Sequence, residues 1–143
     1  MKDHTRSDYR YFVDLQTRWM DNDSYAHVNN VNYYSYFDTA VNHLLITGGS
    51  LNIRESAEVA LVVESLCSFY QSVSFPDVLE IGLRVAKLGR SSVRYDIGIF
   101  RKGEPRICAS GYFIHVYVDK ASQTPVPIPE ASRRLLQDFQ LAQ

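Results

Sequence analysis

The stretch VNYYSYFDTAVNHLLIT, residues 31–47, limits the fold more than any other part of the chain. Tyr33, Phe37, Ala40, Val41, Leu44 and Leu45 recur at three- and four-residue steps, the spacing of a helix. Val31, Tyr34, Tyr36 and Ile46 spread apolar surface round most of the remaining circumference. A helix this apolar must be wrapped by other elements rather than laid on a surface. Asn29 or Asn30 is placed to cap its start, and Gly48 with Gly49 gives a stop signal.

The wrapping material follows in sequence. VALVVESLCSFY (59–70) is rich in β-branched and aromatic residues. Leu79, Ile81, Leu83 and Val85 alternate with Glu80, Gly82, Arg84 and Ala86, and Val93, Tyr95, Ile97 and Ile99 alternate with Arg94, Asp96 and Gly98. ICASGYFIHVYV (107–118) is the last and longest run. The breaks SFPD, KLGR and RKGEP carry turn chemistry and are too short for parallel crossovers, so neighbouring strands are antiparallel. Before the helix, YFVDLQTRW (11–19) alternates too, with Tyr11, Val13, Leu15, Thr17 and Trp19 on one face. These elements predict an α+β fold, one antiparallel β-sheet wrapped around one long central α-helix. No linker or repeat divides residues 1–143, so one domain is expected, with a flexible tail over about 1–9. Pro125, Pro127 and Pro129 lead into a short terminal helix at about 129–140.

Fifteen basic residues against sixteen acidic ones give no electrostatic case for wholesale nucleic-acid binding. The longest apolar runs, such as ALVV at 60–63, are strand-sized and not membrane spans. MKDHTRSDYR has no apolar core of a secretory signal, so the expected location is cytoplasmic. Cys67 and Cys108 read as two reduced thiols in or near strands. An open edge strand and the surplus of aromatic residues both suggest a partner subunit that continues the sheet.

Between strand and helix lies the polar segment TRWMDNDSYAHVNN (17–30). An isolated D-x-D is common in loops, and a helix-preceding aspartate is often a cap or turn residue. Asp21, Asp23 and His27 also form a conceivable O/N metal set, but no second ligand pair accompanies them and no metal is expected.

The run R-W-x-D-x-D-x-x-x-H-V-N-N-x-x-Y-x-x-Y-F-D over residues 18–38 resembles the signature of hotdog-fold acyl-CoA thioesterases related to 4-hydroxybenzoyl-CoA thioesterase. LGRSSVRYDIGIF (88–100) is similar to that family's strand-turn-strand, and PVPIPEASRRLL (125–136) to its closing segment. The resemblance implies a hotdog fold, with five or six antiparallel strands around the helix. It also implies a homodimer, often paired into a homotetramer, with active sites at the subunit interface and no cofactor beyond the coenzyme A of the substrate. Position by position, the functional carboxylate falls on Asp23, as general base or nucleophile, while Asp21 ties down the loop. The backbone N–H of Asn30 falls where the family polarises the thioester oxygen. His27 is assigned a supporting role, shaping the approach to the helix.

Lys87, Arg90, Ser91 and Ser92, in a basic, hydroxyl-bearing turn, suit coenzyme A phosphates, and Tyr33 and Phe37 are candidates for the acyl pocket. The activity implied is hydrolysis of an acyl-CoA; the alternative is a hotdog protein that binds acyl thioesters without cleaving them. Ala26 favours that alternative, because the family has glycine there and a left-handed backbone would strain alanine.

Overall fold

The computed structural model describes residues 1–140; the last three residues of the expected domain lie outside the described residues. The elements, in chain order, are β1 (Tyr11–Gln16), α1 (Val31–Thr47), β2 (Glu58–Phe69), β3 (Val78–Leu88), β4 (Ser92–Arg101), β5 (Ile107–Asp119) and α2 (Glu130–Gln137). The strands form one antiparallel sheet in the order β1-β3-β4-β5-β2, curled round α1. This is the hotdog arrangement, with β1 and β2 as its two edges.

Tyr33, Tyr36, Phe37, Ala40, Val41, Leu44 and Leu45 of α1 are buried against the sheet's concave face, where Leu79, Ile81, Tyr95, Ile97 and Ile99 meet them. Each large apolar side chain so buried contributes roughly 1.5–3 kcal/mol. The helix is not wrapped all round, however. Val31 is 67% exposed and Ile46 44%, because five strands cover only one side of it. At its start the Asn29 side chain does the capping, its Oδ1 accepting the Val31 N–H at 3.2 Å, while Asn30 already has helical angles. At its end the Gly48 N–H donates to the Leu44 carbonyl at 2.9 Å, and Gly49 takes φ 78°.

The first nine residues do not form a free tail. Arg6–Asp8 make a 3-10 turn, and the Arg6 guanidinium donates to the Arg101 and Glu104 carbonyls. Tyr9 is buried on the outer face of the sheet over the paired glycines Gly82 and Gly98. A Cβ on Gly98 would stand 2.6 Å from the Tyr9 ring, so the two glycines make the slot that receives it. β1 is also shorter than its alternation suggests. The chain leaves the sheet after Gln16 and coils into a 3-10 turn over Trp19–Asp21, which leaves Trp19 75% exposed rather than on the buried face. At the other end of the chain α2 buries Leu136, and Arg133 donates to the Gly89 and Arg90 carbonyls, tying the helix to the β3–β4 turn.

The edge strand β2 presents Leu61, Val62, Val63, Leu66 and Phe69 to solvent, 40–59% exposed. A twelve-residue edge strand with five exposed apolar side chains is a surface that folded chains normally cover.

Candidate active site

The segment 17–30 is organised by the aspartate that sequence reading assigned to holding the loop. Asp21 is 1% exposed. Its Oδ2 accepts the Tyr36 hydroxyl at 2.7 Å and the Arg18 N–H at 2.9 Å, and its Oδ1 accepts Arg18 Nη2 at 2.8 Å. Its carbonyl takes the Asn29 N–H and the Asn32 amide, at 2.9 and 3.0 Å, which pins the loop to the start of α1. Burial alone would raise this carboxyl, but the hydrogen bonds from Tyr36 and Arg18 outweigh it and hold Asp21 below the usual carboxylate range. Asp21 is thereby committed to the scaffold and is not available to a shared metal site with Asp23 and His27.

Asp23 stands in a tight turn closed by its own backbone. Its N–H donates to the His27 carbonyl at 2.9 Å, its carbonyl accepts the Ala26 N–H at 3.1 Å, and its Oδ1 accepts the Tyr25 N–H at 2.9 Å. Oδ2 has no hydrogen-bond partner among the described residues. His27 supports the turn through its carbonyl, and its side chain is exposed. Ala26 has φ 64°, so the left-handed conformation that a glycine would hold freely is held here by alanine.

The Asn30 N–H donates to no backbone group and opens at the positive end of α1. Asn30 lines a groove of about 280 Å³ with Val28, Tyr33, Phe69, Tyr70, Gln71 and Ser72. Tyr33 is among the groove's walls. Phe37 is not: it is fully buried, edge-on to Phe113 at 5.7 Å, and packs in the core.

The structure does not bring Lys87, Arg90, Ser91 and Ser92 to this groove within one chain. The register pairs Leu79 with Arg101 beside the groove and Leu88 with Val93 at the far end of the same two strands. Nine residues of strand at about 3.3 Å each separate them by roughly 30 Å.

A second cavity, of about 230 Å³, lies at the other end of α1. Leu45, Leu51, Val59, Ala60, Tyr117 and His115 are among its walls. His115 is 3% exposed, and neither ring nitrogen has a hydrogen-bond partner. Burial pushes its pKa down to about 4. Sequence reading passed over it because it occupies a core-facing position of β5 between Phe113 and Tyr117.

The model of the thioesterase-like superfamily matches residues 17–137, and the chain belongs to that superfamily. A protein of Pseudomonas aeruginosa strain PAO1 is 47% identical in sequence, with a TM-score of 0.94 over 96% of each chain. A second P. aeruginosa protein, a candidate thioesterase, is 27% identical with a TM-score of 0.81 over 86% of this chain and 95% of the other. A 1,4-dihydroxy-2-naphthoyl-CoA thioesterase from Synechocystis shares the fold, with a TM-score of 0.82 and 15% identity over 90% and 96% of the two chains. Among curated proteins none matches. No helix among the described residues is long and apolar enough to cross a membrane.

Proposed function

We propose that the protein is an acyl-CoA thioesterase, cleaving an acyl-coenzyme A to the free acid and CoA, and that it works as a homodimer or a homotetramer built from such dimers. The observation that carries this reading is the unpartnered Asn30 N–H at the mouth of the groove, beside a loop whose geometry Asp21 fixes. The thioester oxygen would accept that N–H, and the first-turn dipole of α1 would stabilise the negative charge it gains. Asp23 supplies the carboxylate. As general base it takes a proton from the attacking water; as nucleophile it forms a mixed anhydride that water then opens. Either way the C–S bond breaks and the CoA thiolate leaves. Two structural relatives with the same fold, the Synechocystis enzyme and a gentisyl-coenzyme A thioesterase, act on CoA thioesters, which supports that substrate class.

The dimer is proposed from the exposed β2 edge. Two-fold antiparallel pairing of β2 sets the Phe69 end of one chain against the Glu58 end of the other. Because Glu58 pairs with Asp119 at the same end of the sheet as the 87–92 turn, a second copy would present its Lys87, Arg90, Ser91 and Ser92 on the side of this chain's groove. There they would serve the CoA phosphates.

The second reading, a protein that binds acyl-CoA without cleaving it, is favoured by the strained Ala26. Thiol release from a panel of acyl-CoAs, measured for wild type and Asp23→Asn, decides between the two. Turnover that the substitution abolishes supports the enzyme; binding with no turnover of any member leaves the binder.

A further inference from the structure

The cavity of about 230 Å³ has the composition of a selective pocket rather than of a packing defect. Leu45, Val59 and Ala60 supply apolar wall beside the polar Asn42, Asn52 and Ser132, and His115 adds a ring with both nitrogens unpaired. A neutral imidazole has one donor and one acceptor, and buried polar groups in folded proteins are nearly always satisfied. The neighbouring Tyr95 ring, 5.3 Å from that of His115, also carries a buried hydroxyl without a partner, although Tyr95 is not among the cavity's lining residues. Asp38 and Glu58 also line the cavity, and no lysine or arginine does.

Its position gives the occupant. Val59, Ala60 and Val62 belong to β2, so the cavity opens on the edge proposed above as the dimer seam. Phe69 lines the Asn30 groove at the opposite end of the same strand. Two-fold pairing of β2 therefore sets the groove of one copy against this cavity of the other, and an acyl group whose thioester sits at Asn30 would run into it.

We infer that this cavity receives the far end of the acyl group, and that His115 selects acyl groups carrying an uncharged hydrogen-bonding function, a hydroxyl or carbonyl, at that end. The inference rests on the thioesterase reading for the position of the thioester. Carboxylate-ended acyl groups are disfavoured by Asp38 and Glu58. A charged end of either sign would have to give up its hydration on entering beside the His115 ring. An acyl group with a purely hydrocarbon end fits the walls but leaves His115 unpaired.

The test uses the wild-type protein and matched pairs of non-hydrolysable CoA thioethers: hexyl with 6-hydroxyhexyl, and benzyl with hydroxybenzyl. Calorimetry is expected to show the hydroxylated member of at least one pair binding roughly ten- to hundredfold tighter. The ¹⁵N resonances of the His115 ring should move with that member and stay in place with its partner. His115→Phe should erase the preference. The ring resonances report on the native protein, so they decide the matter even where the variant does not fold.

Equal binding within every pair, an unmoved ring, a preference retained by His115→Phe, tighter binding of a carboxylate-ended analogue, or no binding of any analogue each overturns the inference. Hydrolysis of the matching acyl-CoAs separates the two readings. Asp23-dependent turnover without a hydroxyl preference leaves the thioesterase and removes the His115 role. A His115-dependent binding preference without turnover does the reverse.

Discussion

Acid should weaken the native state through His115, and the size of the effect follows from its environment. Once the chain unfolds, the ring regains its ordinary value of 6.5; in the native state burial holds it at about 4. As pH falls through 6.5 the unfolded chain takes up a proton that the folded chain refuses until pH 4. Stability is therefore full above pH 6.5 and is lost progressively between 6.5 and 4. At pH 5 the unfolded ring is almost wholly protonated and the native one almost wholly neutral, a difference of about 2 kcal/mol. For a domain of this size that is several degrees in Tm. His115→Phe removes the group while keeping a planar ring beside Phe113 and Tyr95. The assay is urea unfolding at pH 7.5 and 5.0 for both proteins at one fixed concentration, since any association would make the midpoint depend on it. Each protein is compared with itself, so histidines and carboxylates common to both cancel. The wild type should lose about 2 kcal/mol more than the variant between the two pH values. Equal losses would refute the reasoning, because the buried ring would then titrate as it does in water.

Three further outcomes follow from the loop and the edge. Ala26→Gly relieves a φ of 64° and should raise stability by about 1 kcal/mol in urea unfolding, with turnover unchanged or higher. Tyr36→Phe removes a hydrogen bond to the buried Asp21 carboxylate and should cost about 1–3 kcal/mol. Because Asp21 is held below its ordinary range, its stabilising contribution exists above the unfolded pKa and disappears as pH falls through the folded one. The variant, whose Asp21 pKa is higher, should shed it at a higher pH than the wild type does. Val63→Lys puts a charge on the exposed β2 edge; sedimentation should show monomers, and thiol release should fall with the loss of association.

The central helix and its sheet were legible because burial imposes a period: Phe37, Ala40, Val41, Leu44 and Leu45 could be buried together only on a helix. Strand alternation carried the same information, but only as far as hydrogen bonding let it. Trp19 continues the alternation of β1, yet the Arg18 N–H donates to the Asp21 carboxylate and the chain coils there instead. Asn30 was readable as a helix start, although the capping oxygen comes from Asn29. What the sequence could not convey was pairing between groups distant along the chain. Nothing in FIHVYV distinguishes a satisfied core histidine from an orphaned one, and that difference lies in what surrounds the ring. The 87–92 turn was recognisable as basic and hydroxyl-bearing, but its remoteness from Asp23 within one chain depends on strand register.

The open edge of β2 has a genetic consequence. Under two-fold pairing, each site takes its loop from one copy and its cavity from the other. A cell carrying two defective alleles, Asp23→Asn on one and His115→Phe on the other, would assemble mixed dimers. In each of these one site inherits both lesions and the other inherits neither. With a hydroxylated acyl-CoA, for which each allele alone is impaired, such alleles should complement each other, whereas two alleles damaged in the same half should not.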